Sequence, residues 1–232
     1  MAKISQTKII LSIVLGMPLV LVAFLYLFSN TVYHSVPYVY ETQANGDSVI
    51  RSLPEQLTLY DLDGNEWTSE NMKGKMLLIN FFSARDDSGS KRTVLHGNLK
   101  RIYDNVQWEN KPNLRFLSIS TGDSLPDLKE YEPQMEDVDS QFWPIVYADR
   151  TAIYELMADA LGNKRMMREG RDYEPFTDFY VALIDKEGKL RANYVGTNLQ
   201  EERKLQETLV ALWRLEYEDD IDASPLLTTD PE

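Results

Sequence analysis

The chain has 232 residues, 43% hydrophobic and 26% charged, which suits one globular domain with appendages and excludes wholesale disorder. Its net charge is −13 with a pI near 4.7, and Lys3 and Lys8 are the only charges before residue 31. The rest is therefore more acidic still, and nucleic-acid binding is excluded. There is no cysteine, which excludes thiol exchange, C-x-x-C-H haem attachment and thiolate metal sites.

"IILSIVLGMPLVLVAFLYLF" begins at Ile9 and ends at Phe28 without a charge. At about 20 residues it is long enough to cross roughly 30 Å of hydrocarbon as a helix. Lys3 and Lys8 precede it and no Lys or Arg follows before Arg51, so the positive-inside rule puts the N-terminus in the cytoplasm and exports the rest. A cleaved signal peptide is the rival reading. The run is too long for an h-region, however, and no A-x-A-like site follows in "FSNTVYHSVPY". Residues 1–30 are read as a cytoplasmic stub and transmembrane anchor, and 31–52, polar with scattered aromatics, as a juxtamembrane linker with one short strand, Val36 to Tyr40.

A compact domain is expected over 53–216. "LTLYDLDGNEWT" is two short apolar runs around Asp63-Gly64, a favoured hairpin dipeptide. "KMLLINFF" reads as a central strand covered on both faces. Val94, Leu95, Leu99, Ile102, Tyr103 and Val106 follow helical spacing. "NLRFLSIS" is the next strand, and "SLPDLKEYEPQM" gives one or two helical turns capped by Ser124. "FWPIVYAD" is a short strand. The helix after it starts at Asp149 as N-cap and stops at Gly162. "NKRMMREGRDYEPFTD" has no period and reads as a loop, and "FYVALIDKEGKLRANYVG" is a hairpin around Lys186, Glu187 and Gly188. The final amphipathic helix has Asn198 as cap and Glu201 at the capping-box position. Residues 217–232 read as an acidic, disordered tail, more plausibly solubilising than docking.

A parallel βαβ centre, a C-terminal hairpin and a closing helix make an α/β, thioredoxin-like plan, whose reactive loop follows the first core strand. That places "NFFSARDDSGSKR" at the reactive position. The parts "LYDLDGNEWTSENMKGKMLLINFF", "LRFLSIS" and "VALIDKEGKLRANYVGT", in this order and together with the anchor, resemble the Sco/SenC family. These are membrane-anchored, thioredoxin-fold copper chaperones of cytochrome c oxidase assembly. The resemblance implies two Cys in a C-x-x-x-C-P loop and a distant His as copper ligands. Counted along this chain, those positions fall on Asp86, Ser90 and Thr177, or Asp178 with a one-residue slip, and the Pro becomes Lys91. An Asp and a Ser cannot replace two soft thiolates or exchange with a disulfide. The resemblance therefore supports fold and setting and withdraws the activity.

No other residue set replaces the site. Asp86 and Asp87 stand at a helix N-terminus, where Asp87, Ser88 or Ser90 is read as an N-cap. His96 is read as a packed or surface histidine, and His34 as interfacial. Met166 and Met167 lie between Arg165 and Arg168 with no His nearby, so packing or a contact patch is the plainer reading. Asp61, Asp63 and Asn65 imitate the start of an EF-hand but lack its closing Glu.

The expectation is a non-catalytic protein with no cofactor and no metal. Its setting would be the inner membrane, single-pass, with the domain in the periplasm. It would act as a subunit or assembly factor of a respiratory, cytochrome oxidase-type complex. Trp108, Trp143 and Tyr173 are candidate contact aromatics that serve equally well as core. The alternatives are an exported copper carrier using Asp86, His96 and the Met pair, or an anchored thioredoxin-like protein unrelated to respiration.

Overall fold

The computed structural model describes residues 16–18, 20, 35–43, 46–84, 89–106, 111–121, 124–131, 137–157, 161–162 and 180–222. The chain divides into two compact units, Met1–His34 and Ser35–Glu232. In the first, residues 16–18 and 20 are helical. The remainder of the run from Ile9 to Phe28 lies outside the described residues. Among the described residues no helix is long and apolar enough to cross a membrane.

The second unit opens with a separate two-stranded sheet, β1 (Tyr40–Thr42) and β2 (Ser48–Ile50). The hairpin β3 (Thr58–Asp61) and β4 (Glu66–Thr68) comes next, then a single turn, α1 (Ser69–Met72), and the strand β5 (Met76–Phe82). After it come α2 (Gly89–Asn105), β6 (Leu114–Ser120), α3 (Leu125–Tyr131), β7 (Ile145–Tyr147) and α4 (Arg150–Glu155). The hairpin β8 (Tyr180–Ile184) and β9 (Leu190–Val195) and the long α5 (Leu199–Asp222) close the fold. The main sheet has the order β4-β3-β7-β6-β5-β8-β9, with β5, β6 and β7 parallel and the outer pairs antiparallel.

Every residue of β5 is buried, as a central parallel strand must be when both faces are covered. Met76 and Leu78 face Leu95, Leu99 and Ile102 of α2 and Leu205, Leu209 and Leu212 of α5. Leu77, Ile79 and Phe81 face Leu57, Met72, Ile153 and Leu156. Of the helical positions read from spacing, Val94 alone falls on the outer face, 44% exposed. The local signals hold elsewhere. Gly64 turns the first hairpin at φ 84°, and Gly188 the last at φ 80°. The Asp149 carboxylate accepts from the Thr151 N–H at 3.0 Å; α4 itself ends at Glu155, short of the stop expected at Gly162, and residues 158–160 lie outside the described residues. The Asp127 carboxylate reaches back to the Ser124 N–H at 3.0 Å, completing the start of α3.

Three expectations are corrected. Residues 35–52 are not a linker: Ser35 onward belongs to the domain unit, Val36 is buried, and the Val39 N–H donates to the Leu190 carbonyl at 3.0 Å. In place of one strand over Val36 to Tyr40 there are two, β1 and β2, paired with each other, and the segment docks because the edge of β9 offers backbone partners that composition cannot reveal. The boundary at 216 also moves, because α5 continues to Asp222 and Tyr217 is buried on the domain, donating to the Gly74 carbonyl at 3.1 Å. Residues 223–232 lie outside the described residues. Finally, Asn198 caps α5 through the Gln200 N–H at 2.9 Å, but Glu201 does not close a capping box. The Asn198 N–H already donates to the Val195 carbonyl at 3.0 Å, and the Glu201 carboxylate takes the Val195 N–H at 2.6 Å instead.

Candidate functional site

The reactive position of this topology is where β5 hands over to α2. Ser83 and Ala84 leave the strand, and α2 begins at Gly89. Of the three counted ligand positions, Ser90 lies in the first turn of α2, while Asp86 and Thr177 lie outside the described residues. So do Asp87, Ser88, Asp178, Met166, Met167, Trp108 and Tyr173.

The loop entry is held by Arg92. One helical turn into α2, its guanidinium donates to the Ser83 carbonyl at 3.0 Å and the Ala84 carbonyl at 2.7 Å. Two carbonyls just past the strand end are thereby paired with a fixed cation. On the far side of the strand end, the Thr121 hydroxyl donates to the Phe82 carbonyl at 3.1 Å.

His96, the next turn along α2, is half-buried. Its ring meets Phe82 edge-on at 5.7 Å and stands perpendicular to Trp143 at 6.4 Å. Burial, and secondarily the charge of Arg92, lower its pKa from 6.5 to about 4. It is a neutral, packed imidazole at pH 7, the plainer of the two readings of it. Trp143, a candidate contact aromatic, is core: it is 2% exposed and lies in one cluster with Tyr103, Phe116 and Phe142. Burial of the ring requires a partner for its indole N–H, and the Ser118 hydroxyl accepts it at 2.8 Å. Ser118 in turn donates to the Asn80 side-chain carbonyl at 2.7 Å. This chain of three polar groups beneath the loop was missed from the sequence. Its one visible signal is Asn80 interrupting "MLLINFF".

The turn that imitates a calcium loop is a hairpin. Asp61 accepts from the backbone N–H groups of Asp63 and Asn65 at 3.0 and 2.8 Å and from the Asn65 amide at 2.9 Å. Those bonds hold the carboxyl below its usual range, against the partial burial that would raise it. Three of the roughly four lone-pair directions of this carboxylate are thus engaged by the turn.

Dithiol chemistry does not fit this chain, which offers no thiolate. Among the described residues near the loop stand an imidazole, hydroxyls, a carboxamide and a guanidinium, and no group of three metal-ligating side chains. Cu(I) selects soft sulfur ligands, and disulfide exchange needs two sulfurs.

No protein-family model matches this chain, and no curated protein matches it. Solved structures do. A SCO1/SenC family lipoprotein from Bacillus anthracis str. Ames is 19% identical over 71% of this chain and 96% of its own, with a TM-score of 0.56. BsSco, a member of the Sco family of cytochrome c oxidase assembly proteins, is 17% identical over 71% and 95%, with a TM-score of 0.53. ScoI of Arabidopsis thaliana, solved with copper bound, is 16% identical over 72% and 99%, with a TM-score of 0.51. The chain thus has the thioredoxin-like α/β fold with a central mixed sheet, and its structural neighbours include Sco/SenC proteins.

Proposed function

We propose that this chain is a cysteine-free Sco-like protein that works as a non-catalytic subunit or assembly factor of a cytochrome oxidase-type respiratory complex. One observation carries the reading: the fold is that of Sco proteins, yet the chain contains no cysteine. A fold kept without the groups its chemistry needs is a surface for binding. The apolar run from Ile9 to Phe28 would anchor the chain in the inner membrane, N-terminus inside and domain in the periplasm. Its partner would be a membrane complex of the respiratory chain, and it needs no cofactor.

Purification of tagged full-length protein from native membranes tests this. Oxidase-type subunits should co-purify, and copper titration of the isolated protein should show no stoichiometric site. Stoichiometric copper binding that weakens on substitution of Asp86 or His96 would overturn the reading in favour of a metal carrier with a non-cysteine site. Retention of the protein in the membrane fraction through alkaline carbonate washing tests the anchor separately.

A further inference from the structure

The segment that precedes the main sheet is attached to the domain by unusual means. Among the described residues of 35–52, Val36 is the one buried apolar side chain, with Val39 half-buried against the second core. The strands β1 and β2 present mostly exposed residues, with Tyr40 at 56% and Val49 at 47%. Backbone bonds join the segment to the edge of the last hairpin. Val39 donates to Leu190 at 3.0 Å, Leu190 to Arg51 at 2.9 Å, and Leu53 to Gly188 at 2.8 Å, with a bridge between Ser52 and Lys189.

Two arginines complete the attachment from opposite directions. Arg191, on β9, donates to the Val36 carbonyl. Its guanidinium lies over the Tyr38 ring, 4.1 Å from the centroid. It is held in place by Asp185 at 3.0 Å and Glu216 of α5 at 3.6 Å. Asp185 is 1% exposed and Arg191 9%, and both carboxylates that pair with this guanidinium lie outside the segment. Arg51 projects from the segment, pairs with Glu41 at 3.2 Å and lies against Gly162, where a Cβ would come within 2.9 Å of its guanidinium.

Apolar burial is what resists local opening. The sheet and helices have two extensive cores, whereas this segment adds one buried valine and two half-buried side chains, Val39 and Leu53, at their margin, and is otherwise held by a handful of hydrogen bonds and two cations. We propose that residues 35–53 form a releasable strap, pegged to the domain by Arg191 and Arg51, which opens while the sheet and its helices stay folded. Opening turns about nineteen residues into flexible chain, adding roughly 25 Å of r.m.s. reach to a tethered domain. That consequence rests on the anchored reading above; the opening itself does not.

Hydrogen–deuterium exchange on the full-length protein in detergent micelles tests the strap. Peptides covering 36–53 should exchange at least about 100-fold faster than those covering 76–82 and 114–120. Tyr38→Ala removes the ring under Arg191 without touching the domain side. It should speed the strap peptides by a further factor of about 10, leaving 76–82 and 114–120 unchanged. Exchange of the strap at the rate of β5 and β6 in the unsubstituted protein would overturn the proposal, as would a Tyr38→Ala effect spread equally over all peptides. Release from membranes by carbonate would refute the anchor and leave these exchange rates as they are.

Discussion

His96 makes the acid stability of this domain a test of how its core is built. The ring lies between Phe82 and Trp143, and burial holds its pKa at about 4 where an unfolded chain would have 6.5. The unfolded state therefore takes up a proton as pH falls through 6.5, while the folded state refuses it until about 4. A depressed histidine pKa costs the fold stability as pH falls across that window, and the loss levels off below it. At 1.36 kcal/mol per pH unit, the full loss is about 3 kcal/mol, an upper limit for a ring that is only half-buried. His96→Leu keeps an apolar group of similar size and removes the titration. Urea denaturation at pH 7, 6, 5 and 4, followed by tryptophan fluorescence, would give the stability of both proteins. The carboxylates titrate alike in both, so the difference isolates His96. Relative to the parent, the variant should gain 2 to 3 kcal/mol, roughly, between pH 7 and pH 4. A difference that stays constant over that range would refute the assignment of His96 as a packed, neutral ring.

Asp149→Ala removes the acceptor of the Thr151 N–H and should cost about 1 kcal/mol in chemical denaturation, with Asp149→Ser recovering most of it. Glu202→Ala breaks the paired contacts of its carboxylate with Arg101 at 3.1 and 2.8 Å, which link α5 to α2. Glu202 is 7% exposed and Arg101 reaches solvent, so the loss should be about 1 kcal/mol and should shrink in 1 M salt. Gly162→Ala sets a methyl group against the Arg51 guanidinium and forces a side chain into φ 72°. It should lower the denaturation midpoint by the equivalent of 1 to 3 kcal/mol, about what left-handed strain plus a displaced arginine would cost.

The parts of the fold that were legible are those specified by neighbours in sequence. The near-continuous apolar run of β5, the helical spacing of α2, and the caps Asp149 and Asn198 each act within a few residues. Their physics is complete in a short window. The docked segment 35–52 was not legible, because its polar composition is that of a linker and its partners are far away in the chain. Arg191 and Val36 lie 155 residues apart. Glu201 shows the same limit from the other side: the local rule assigned it to Asn198, but a neighbouring strand supplied a better-placed donor. At the site, counting from "LLINFF" assigned Asp86 and Ser90 to the sulfur positions; Ser90 falls in the first turn of α2, and Asp86 lies outside the described residues. The polar chain from Trp143 through Ser118 to Asn80 joins three elements, and only tertiary packing brings them together.

The bond between Val195 and Glu201 also bears on self-association. β9 is the outermost strand of the main sheet on its side, and an edge strand with free N–H groups is a template for pairing with another chain. At its C-terminal end that opportunity is closed. The last N–H of the strand is taken by a carboxylate of the same chain at 2.6 Å, and an incoming strand would meet a negative charge where it needed a donor. An acidic side chain in the first turn of α5 thus doubles as a stop on sheet extension, and keeps this end of the domain from polymerising through its backbone.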